Sequence, residues 1–231
     1  MIQALLAWKD QLYETFIRGG NYKLLLEGLG NTILITLGAL AIGVVIGTLI
    51  AVTKYFSDGV PSLKPLERIC DLYVTVIRGV PVVVLLLIFY FLILRSSEGV
   101  IVGVITFGIN SGAYMAELIR SGINAVDAGQ MEAGRSLGLN KFQCMKEIIL
   151  PQAVRYILPA IFNEMIALLK ETAVSGYVAV RDLTRSGNLI RNNTYDAFNP
   201  LIAVALIYLA LVVLLTAVLR KLERRLAHDK R

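Results

Sequence analysis

Long apolar runs with few charged residues are the feature that most limits how this chain can fold. Of its 231 residues, 56% are hydrophobic, and the mean hydropathy is +0.68. About 20 consecutive apolar residues in a helix cross the roughly 30 Å hydrocarbon core of a bilayer, and a helix pairs its own backbone polar groups there. The sequence therefore predicts an all-α protein that crosses a membrane several times.

The hydropathy pattern predicts five transmembrane helices. The predicted spans are about 24–53, 69–94, 99–120, 145–170 and 197–220. The third and fourth carry polar side chains, which persist in lipid only where other helices or a water-lined cavity cover them. Glycines four residues apart allow close helix packing, and two such pairs place the third span inside the bundle. The pairs are Gly43 and Gly47, Gly99 and Gly103, and Gly108 and Gly112.

Residues 1–23 are predicted to form an amphipathic lead-in helix, ahead of a membrane domain at 24–226 and a basic tail at 227–231. Charged residues interrupt the first 20 positions, which argues against a cleavable signal peptide. Trp8 and Tyr13 are predicted headgroup anchors. The apolar side chains that this helix offers to the membrane interface are Ile2, Leu5, Leu6, Leu12, Phe16 and Ile17.

The distribution of basic residues predicts how the chain is oriented. Five spans put the two termini on opposite sides, and the positive-inside rule favours a cytoplasmic C-terminus and an outer N-terminus. The net charge of +6 would also suit a nucleic-acid-binding protein. Many of the basic residues, however, lie in the last dozen positions beside a span, which favours a cytoplasmic membrane anchor.

The residue types needed for metal binding or catalysis are sparse. Cys70 and Cys144 are far apart in the sequence, and His228 is the single histidine, so no metal ligand set is predicted. The sequence contains no nucleophile elbow, no catalytic triad and no phosphate-binding loop. We therefore expect no enzyme activity and no cofactor in this chain, and any ATP must be hydrolysed by another subunit.

A polar element at residues 127–151 interrupts the apolar pattern on the predicted cytoplasmic side. Asp127 and Gln130 have capping-box spacing, so a helix is expected at about 128–137, and Gly138 suits its end. One face carries mostly small side chains, which would let a partner protein come close: Gln130, Ala133, Gly134 and Leu137. Charged Glu132 and Arg135 would orient the partner, and apolar Leu139 and Phe142 would dock against it. A helix resting on the membrane surface is the alternative.

The same element resembles a family signature. The permease subunits of bacterial ABC importers carry E-A-A, three residues, G, nine residues and I-x-L-P. This chain has Glu132, Ala133, Gly134, Gly138, Ile148, Leu150 and Pro151 in that register, with glycine in place of the second alanine. The substitution costs about 1 kcal/mol of helix propensity without adding bulk.

The resemblance extends from about residue 28 to 226 and narrows to the polar amino acid permeases, the histidine, glutamine and arginine group. Arg78–Pro81 (R-G-V-P) is similar to their R-G-T-P, and Tyr114–Ile123 to their Y-x-A-E-x-x-R-x-G-I. Lys170–Thr172 (K-E-T) is similar to their K-D-T, and Leu222–Arg225 to their L-E-R-R. These matches specify the family closely but say much less about the substrate.

The resemblance implies the type I ABC importer permease fold in the cell membrane. It implies a dimer with an identical or homologous permease, two ATPase subunits that use the ATP, and an extracytoplasmic amino-acid-binding protein. The helix at about 128–138 would be the coupling helix that contacts the ATPase. The residues implied in coupling are Glu132, Ala133, Gly134, Gly138, Leu139 and Pro151.

Polar residues at membrane depth are the candidates for the solute path, because they are costly in lipid. An α-amino acid needs a cation or N–H group for its carboxylate and an acceptor for its ammonium group. The candidates are Arg78, Tyr114, Glu117, Asn163, Glu164 and Lys170. Arg78, Glu117 and Lys170 could equally form structural ion pairs.

Pro81 is expected to kink the second span, and the segment 181–199 is expected to be an outer loop with a short helix.

Other function classes fit the sequence less well. A secondary transporter driven by an ion gradient is the main alternative, but five spans without an evident internal repeat argue against it. An intramembrane enzyme is disfavoured because the sequence has no histidine or metal-binding constellation. Among substrates, the acidic side chains Glu117 and Glu164 favour a cationic amino acid slightly over an acidic one, and glutamine and cystine stay open.

Overall fold

The computed structural model describes residues 2–57 and 60–228, and this part of the chain contains ten α-helices and no strand. The all-α prediction is therefore confirmed for the described residues. In chain order the helices are α1 (Ile2–Leu12), α2 (Tyr22–Ser57), α3 (Lys64–Gly79), α4 (Val82–Ile88), α5 (Gly99–Asn124), α6 (Ala128–Ser136), α7 (Lys141–Cys144), α8 (Leu150–Glu171), α9 (Leu183–Thr194) and α10 (Asn199–His228). Tighter or wider helical turns occur at Tyr13–Arg18, Pro61–Leu63, Phe89–Ile93, Met145–Ile149 and Thr172–Val178.

Three helices, α2, α5 and α10, are long and apolar enough to cross a membrane by themselves. The second predicted span is broken, because α3 and the helical segment Val82–Ile93 are bent by 104°. Pro81 lacks an N–H group and forces Val80 into an extended conformation, which ends a helix. Counting the bent pair as one crossing gives up to four apolar spans in the described residues. α8 coincides with the fourth predicted span but carries several charged side chains.

α2 and α5 form the central helix pair. A Cβ atom added at Gly43 would lie 2.9 Å from Ser111 Cβ, and one added at Gly108 would lie 2.7 Å from Ile42 Cβ. Larger residues at these glycines would force the helices apart, so the small-residue pattern sets their close approach. In the most apolar part of α5, 61% of residues are buried, against 6% for α10. α5 therefore lies inside the bundle, as predicted.

Two apolar clusters pack against the ends of this central pair. One contains Ile35, Leu86, Phe107, Leu168 and Val178, and all five side chains are almost completely buried. The other contains Ala51, Ile119, Met145, Ile149 and Ile157 and lies next to α6 and α7. The second cluster thus joins the polar element of the sequence to the membrane helices.

The N-terminal segment is attached to the α9–α10 corner by hydrogen bonds. Trp8 Nε1 donates to Asn199 Oδ1 at 2.9 Å, and Thr15 Oγ1 donates to Asp196 Oδ2 at 3.1 Å. Burial disfavours the charged form of Asp196, but hydrogen bonds from Asn199, Thr15 and Phe198 outweigh it and lower the pKa of this carboxyl group. Trp8, predicted as a headgroup anchor, therefore has a protein partner as well.

Some predictions for the termini fall outside what the structure describes. The side chains of Ile2, Leu5 and Leu6 are not among the described ones, and neither is residue 229 or those beyond it. Of the other predicted interface residues, Ile17 and Tyr13 are exposed, whereas Leu12 and Phe16 are half-buried.

Candidate functional site

α6 begins at an N-cap, as its sequence predicts. Asp127 Oδ1 accepts a hydrogen bond from the backbone N–H of Gly129 at 2.8 Å. The expected capping box with Gln130 does not form, because the Gln130 side chain instead accepts from Gln152 Nε2 at 3.3 Å. The capping box belongs to the next helix, where the Asn140 side chain and the Gln143 side chain each accept from the backbone N–H of the other residue. Each of the two short helices therefore has its own start signal.

Gly138 ends α6, as predicted. Its φ is +87°, a left-handed conformation that favours glycine. The Leu139 N–H donates to the Gly134 carbonyl at 3.2 Å, and the Gly138 N–H donates to the Arg135 carbonyl at 3.0 Å. This bonding pattern is a Schellman motif. We call α6, this turn and α7 the α6–α7 hairpin.

Gly134 lies on the inner side of the hairpin, which corrects the expectation that it shares an open face with Ala133. It is buried, and a Cβ atom there would lie 2.7 Å from Cys144 Sγ and 2.9 Å from Ile148 Cδ1. The alanine that is usual in the motif would therefore need the neighbouring side chains to shift. Glycine here allows α6 to pack tightly against the start of the fourth predicted span.

The exposed residues of the hairpin include a large apolar side chain and a free charge. Leu137 is 83% exposed and Phe142 is 60% exposed, whereas Leu139 is half-buried. Within the described residues, the exposed Glu132 carboxylate has no hydrogen-bonding or ionic partner. Ala133 and Pro151 are exposed as well. Such a patch is typical of a surface that another protein covers.

α7 is fixed to the end of α2. Lys141 Nζ donates to the Tyr55 carbonyl at 3.3 Å and lies 4.8 Å from the centre of the Tyr55 ring. The rings of Phe142 and Phe56 are 6.3 Å apart. The hairpin is thus connected directly to the last turn of α2.

Polar groups of α3, α5 and α8 lie along the second, third and fourth predicted spans. Ser111 Oγ donates to Glu164 Oε1 at 3.2 Å, and the Arg78 guanidinium lies 5.0 Å from the centre of the Tyr114 ring. Arg78 and Asn163 are exposed in the single chain, and Glu164 is half-buried. The arrangement offers a cation, a carboxylate and an amide, which suit the charged groups of an amino acid.

Glu117 belongs to a second group of charges, although Arg78 interacts electrostatically with both Glu117 and Glu164. Its Oε1 is 3.7 Å from Lys54 Nζ, and its Oε2 accepts from Arg120 Nη2 at 2.8 Å. Lys54 Nζ is also 2.7 Å from Asp71 Oδ1. We call Lys54, Asp71, Glu117 and Arg120 the charge cluster. The remaining candidate, Lys170, is exposed in the last turn of α8.

The sequence analysis singled out neither Lys54 nor Asp71 as a site residue. A carboxylate at the start of a predicted span requires a partner, and that signal could have identified Asp71. The partner itself was unpredictable, because Lys54 lies on a different helix.

Within residues 2–57 and 60–228 there is no group of three or more His, Cys, Asp or Glu side chains that could hold a metal ion.

A polar cavity of about 440 Å³ lies between α9 and the turn at Thr172–Val178. Its lining includes Tyr177, Arg185, Asn188 and Asn192. Beside it, Asp182 caps α9 by accepting from the Arg185 N–H at 2.9 Å, although burial raises the pKa of this carboxyl group. The segment 181–199 does contain a short helix, as predicted.

Comparison with known proteins agrees with the geometry. The chain is 37% identical over 206 residues to the arginine transport system permease protein ArtQ of Bacillus subtilis, covering 87% of this chain and 92% of that protein. It is 39% identical over 206 residues to a Rickettsia bellii protein provisionally named glutamine transport system permease GlnP, with the same coverage.

Solved structures show the same similarity. The crystal structure of an amino acid ABC transporter with histidines contains a chain that is 40% identical, with a TM-score of 0.83 and coverage of 91% of this chain and 98% of that one. The MetNI methionine ABC transporter in an inward-facing conformation is 22% identical with a TM-score of 0.76, which shows a shared fold.

The family described as binding-protein-dependent transport system inner membrane component matches residues 43–228, which include the α6–α7 hairpin and the polar groups of α3, α5 and α8. This chain therefore belongs to that family, among the permeases of polar amino acid ABC transporters.

Proposed function

We propose that this chain is the permease subunit of an ATP-dependent importer for polar amino acids, and that it works as a dimer with two ATPase subunits and an extracytoplasmic binding protein. The observation that carries the proposal is the α6–α7 hairpin, which presents exposed Leu137 beside unpaired Glu132. These residues lie within the motif that resembles the ATPase-coupling signature.

In this proposal the chain has five spans and an outer N-terminus. The bent pair of α3 and α4 is the second span, and α8 is the fourth. The charges of α8 are tolerated because they face other helices, as Glu164 does towards Ser111, or a water-filled path between the two permeases. The domain boundaries at residues 23 and 226 are part of the same proposal.

The hairpin transmits ATPase movement to the spans. A groove of the ATPase receives Leu137 and Ala133, and Glu132 orients the contact. Gly134, Gly138 and Leu139 shape the hairpin, and exposed Pro151 at the start of α8 adds to the coupling surface. Contacts from Lys141 to Tyr55 and from Gln152 to Gln130 support mechanical connection to α2 and α8. To shift the spans from a 1:99 to a 99:1 ratio of two conformations, the nucleotide must bind the favoured conformation more tightly by about 5.5 kcal/mol.

The solute path is lined by Arg78, Tyr114, Asn163 and Glu164. The Arg78 guanidinium binds the carboxylate of the amino acid, and Glu164 and Asn163 bind its ammonium or a polar side chain. Relatives named for glutamine and arginine transport support this substrate class. The cavity between Tyr177 and Asn192 faces the binding protein, and Lys170 lies at the same outer end.

The test is reconstitution of the chain with its ATPase and binding protein in liposomes. ATP without an ion gradient should drive uptake of glutamine, arginine or histidine, and the chain without ATPase should hydrolyse no ATP. Glu132→Arg and Gly138→Val should each abolish ligand-stimulated hydrolysis while the complex remains folded. Uptake that requires an ion gradient but no ATP would contradict the proposal and favour a secondary transporter.

A further inference from the structure

Lys54 lies where three helices meet, at the end of the bundle that carries the α6–α7 hairpin. It contacts Asp71 on α3 at 2.7 Å and Glu117 on α5 at 3.7 Å. The side chains of Lys54 and Glu117 are only 18% and 26% exposed, whereas that of Asp71 is 52% exposed, so the pair withdrawn from water is Lys54 and Glu117. Partial removal from water strengthens such pairs compared with fully exposed ones. The charge cluster therefore connects α2, α3 and α5 at this end.

The residue after Lys54 holds the hairpin. Tyr55 accepts from Lys141 of α7 through its carbonyl oxygen and offers its ring to the same ammonium group. Two consecutive residues of α2 thus bind different parts of the molecule. A displacement of α7 acts on the peptide segment that also carries Lys54.

The helices joined by the cluster also carry polar groups of the proposed solute path. Arg78 lies about two helical turns after Asp71 on α3, and Tyr114 lies about one turn before Glu117 on α5. The Arg78–Tyr114 contact therefore depends on how α3 and α5 are aligned at the cluster. An open cavity of about 410 Å³ is lined by Lys54, Asp71 and Arg120 of the cluster, so the cluster is not packed tightly on that side.

We infer that the charge cluster is a clamp that positions α3 and α5 relative to the α6–α7 hairpin, with Lys54 as its central residue. This inference rests on the proposed coupling function of the hairpin. The clamp transmits the position of the hairpin to the pair Arg78 and Tyr114. It does not contact the solute, so its residues are positioning residues.

The test uses the reconstituted complex with Lys54→Met, Lys54→Arg and, as a matched control, Arg68→Met. Arg68 is an exposed cation on α3 that lies outside the cluster. ATP hydrolysis is measured with and without loaded binding protein, together with ATPase stoichiometry and the thermal unfolding midpoint. Lys54→Met should reduce the ratio of stimulated to basal hydrolysis at least about fivefold, whereas Lys54→Arg and Arg68→Met should keep it.

A second variant separates the clamp from general destabilisation. Asp71→Asn should reduce the ratio in the same direction. The double variant with Lys54→Met should lose no more than Lys54→Met alone, because Lys54→Met already removes the Lys54–Asp71 contact. An unchanged ratio in Lys54→Met would overturn the clamp. A ratio that falls equally in Arg68→Met, in step with the unfolding midpoint, would overturn it as well.

The wild-type complex distinguishes the clamp from the proposed function. If it shows ligand-stimulated hydrolysis and Lys54→Met shows the same ratio, the clamp alone is wrong. If the wild-type complex assembles but never responds to the loaded binding protein, the proposed function fails first, and the coupling role of the clamp fails with it.

Discussion

Glu164 and Glu117 are carboxylates on two long helices of one bundle, but their surroundings differ. Glu164 has one hydroxyl donor, Ser111 Oγ, and faces a region where Arg78 and Asn163 are exposed. Glu117 is held by two cations from two helices. A carboxylate with a single neutral donor keeps acceptor capacity for a ligand, whereas one between two cations has little left. The contrast is what we expect if Glu164 belongs to the proposed solute path and Glu117 to the framework that holds the helices together.

The largest expected effect comes from removing the charge of Glu164. In Glu164→Gln we expect the solute concentration for half-maximal uptake to rise at least about tenfold, because a hydrogen bond to a charged group contributes about 1.5–3 kcal/mol. The matched variant Glu117→Gln should instead lower turnover at an unchanged half-saturating concentration. Uptake of labelled glutamine, arginine and histidine into proteoliposomes measures both values. An equal rise in both variants would show that the two carboxylates share one site.

A double-mutant cycle tests the pairing of Glu117 directly. Combining Glu117→Gln with Lys54→Met should reveal a coupling energy of about 1 kcal/mol in the free energy of unfolding, because the pair is partly withdrawn from water. The same cycle between Glu164→Gln and Lys54→Met should give a value near zero. Denaturant unfolding in detergent provides the measurement. A coupling energy between Lys54 and Glu164, with none between Lys54 and Glu117, would contradict the different surroundings of the two carboxylates.

A smaller effect is expected from the hydroxyl that contacts Glu164. Ser111→Ala removes the donor and should cost about 0.5–1.5 kcal/mol of stability. Thr106 provides the control on the same helix, since its buried hydroxyl has no hydrogen-bonding partner in the described structure. Thr106→Val should be neutral or stabilising by thermal unfolding. Equal losses in the two variants would mean that the Ser111–Glu164 bond contributes nothing.

The smallest effects concern two carboxyl groups outside the membrane. The lowered pKa of Asp196 means that its contribution to stability is present above the unfolded-state value of about 3.9 and is lost as pH falls through the folded-state pKa. The raised pKa of Asp182 has the opposite sign, so acidification towards its folded-state pKa favours the folded state.

Asp196→Asn should therefore lower the unfolding midpoint by the same amount at pH 7 and pH 5. Asp182→Asn keeps an acceptor at the N-cap and should remove a gain in stability that the wild type shows as the pH falls from 7 towards the ordinary aspartate value of about 3.9. Asp182→Ala, which also removes the cap, should cost about 1 kcal/mol at both pH values. If the unfolding midpoint of Asp182→Asn depends on pH as strongly as that of the wild type, the raised pKa does not belong to Asp182.

Local signals in the sequence predicted local structure well. Asp127 and Gly138 bound α6 in the sequence as they do in the structure, and Pro81 breaks the second predicted span. The capping box was assigned to Gln130, although Gln143 forms it, because two adjacent short helices offer competing pairs of the same residue types. The inward position of Gly134 was missed for a related reason. Helical periodicity states which residues share a face but not which face Cys144 will cover.

The sequence by itself determined that the chain is helical, apolar and membrane-spanning, that it contains no phosphate-binding loop, and that one polar element interrupts its apolar pattern. These properties depend on composition and on neighbours within a few residues. Only the tertiary structure decided which polar side chains pair. Lys54, Asp71 and Glu117 come from three different helices, so their contact depends on how α2, α3 and α5 pack against one another. That long-range geometry separates Glu117 from Glu164.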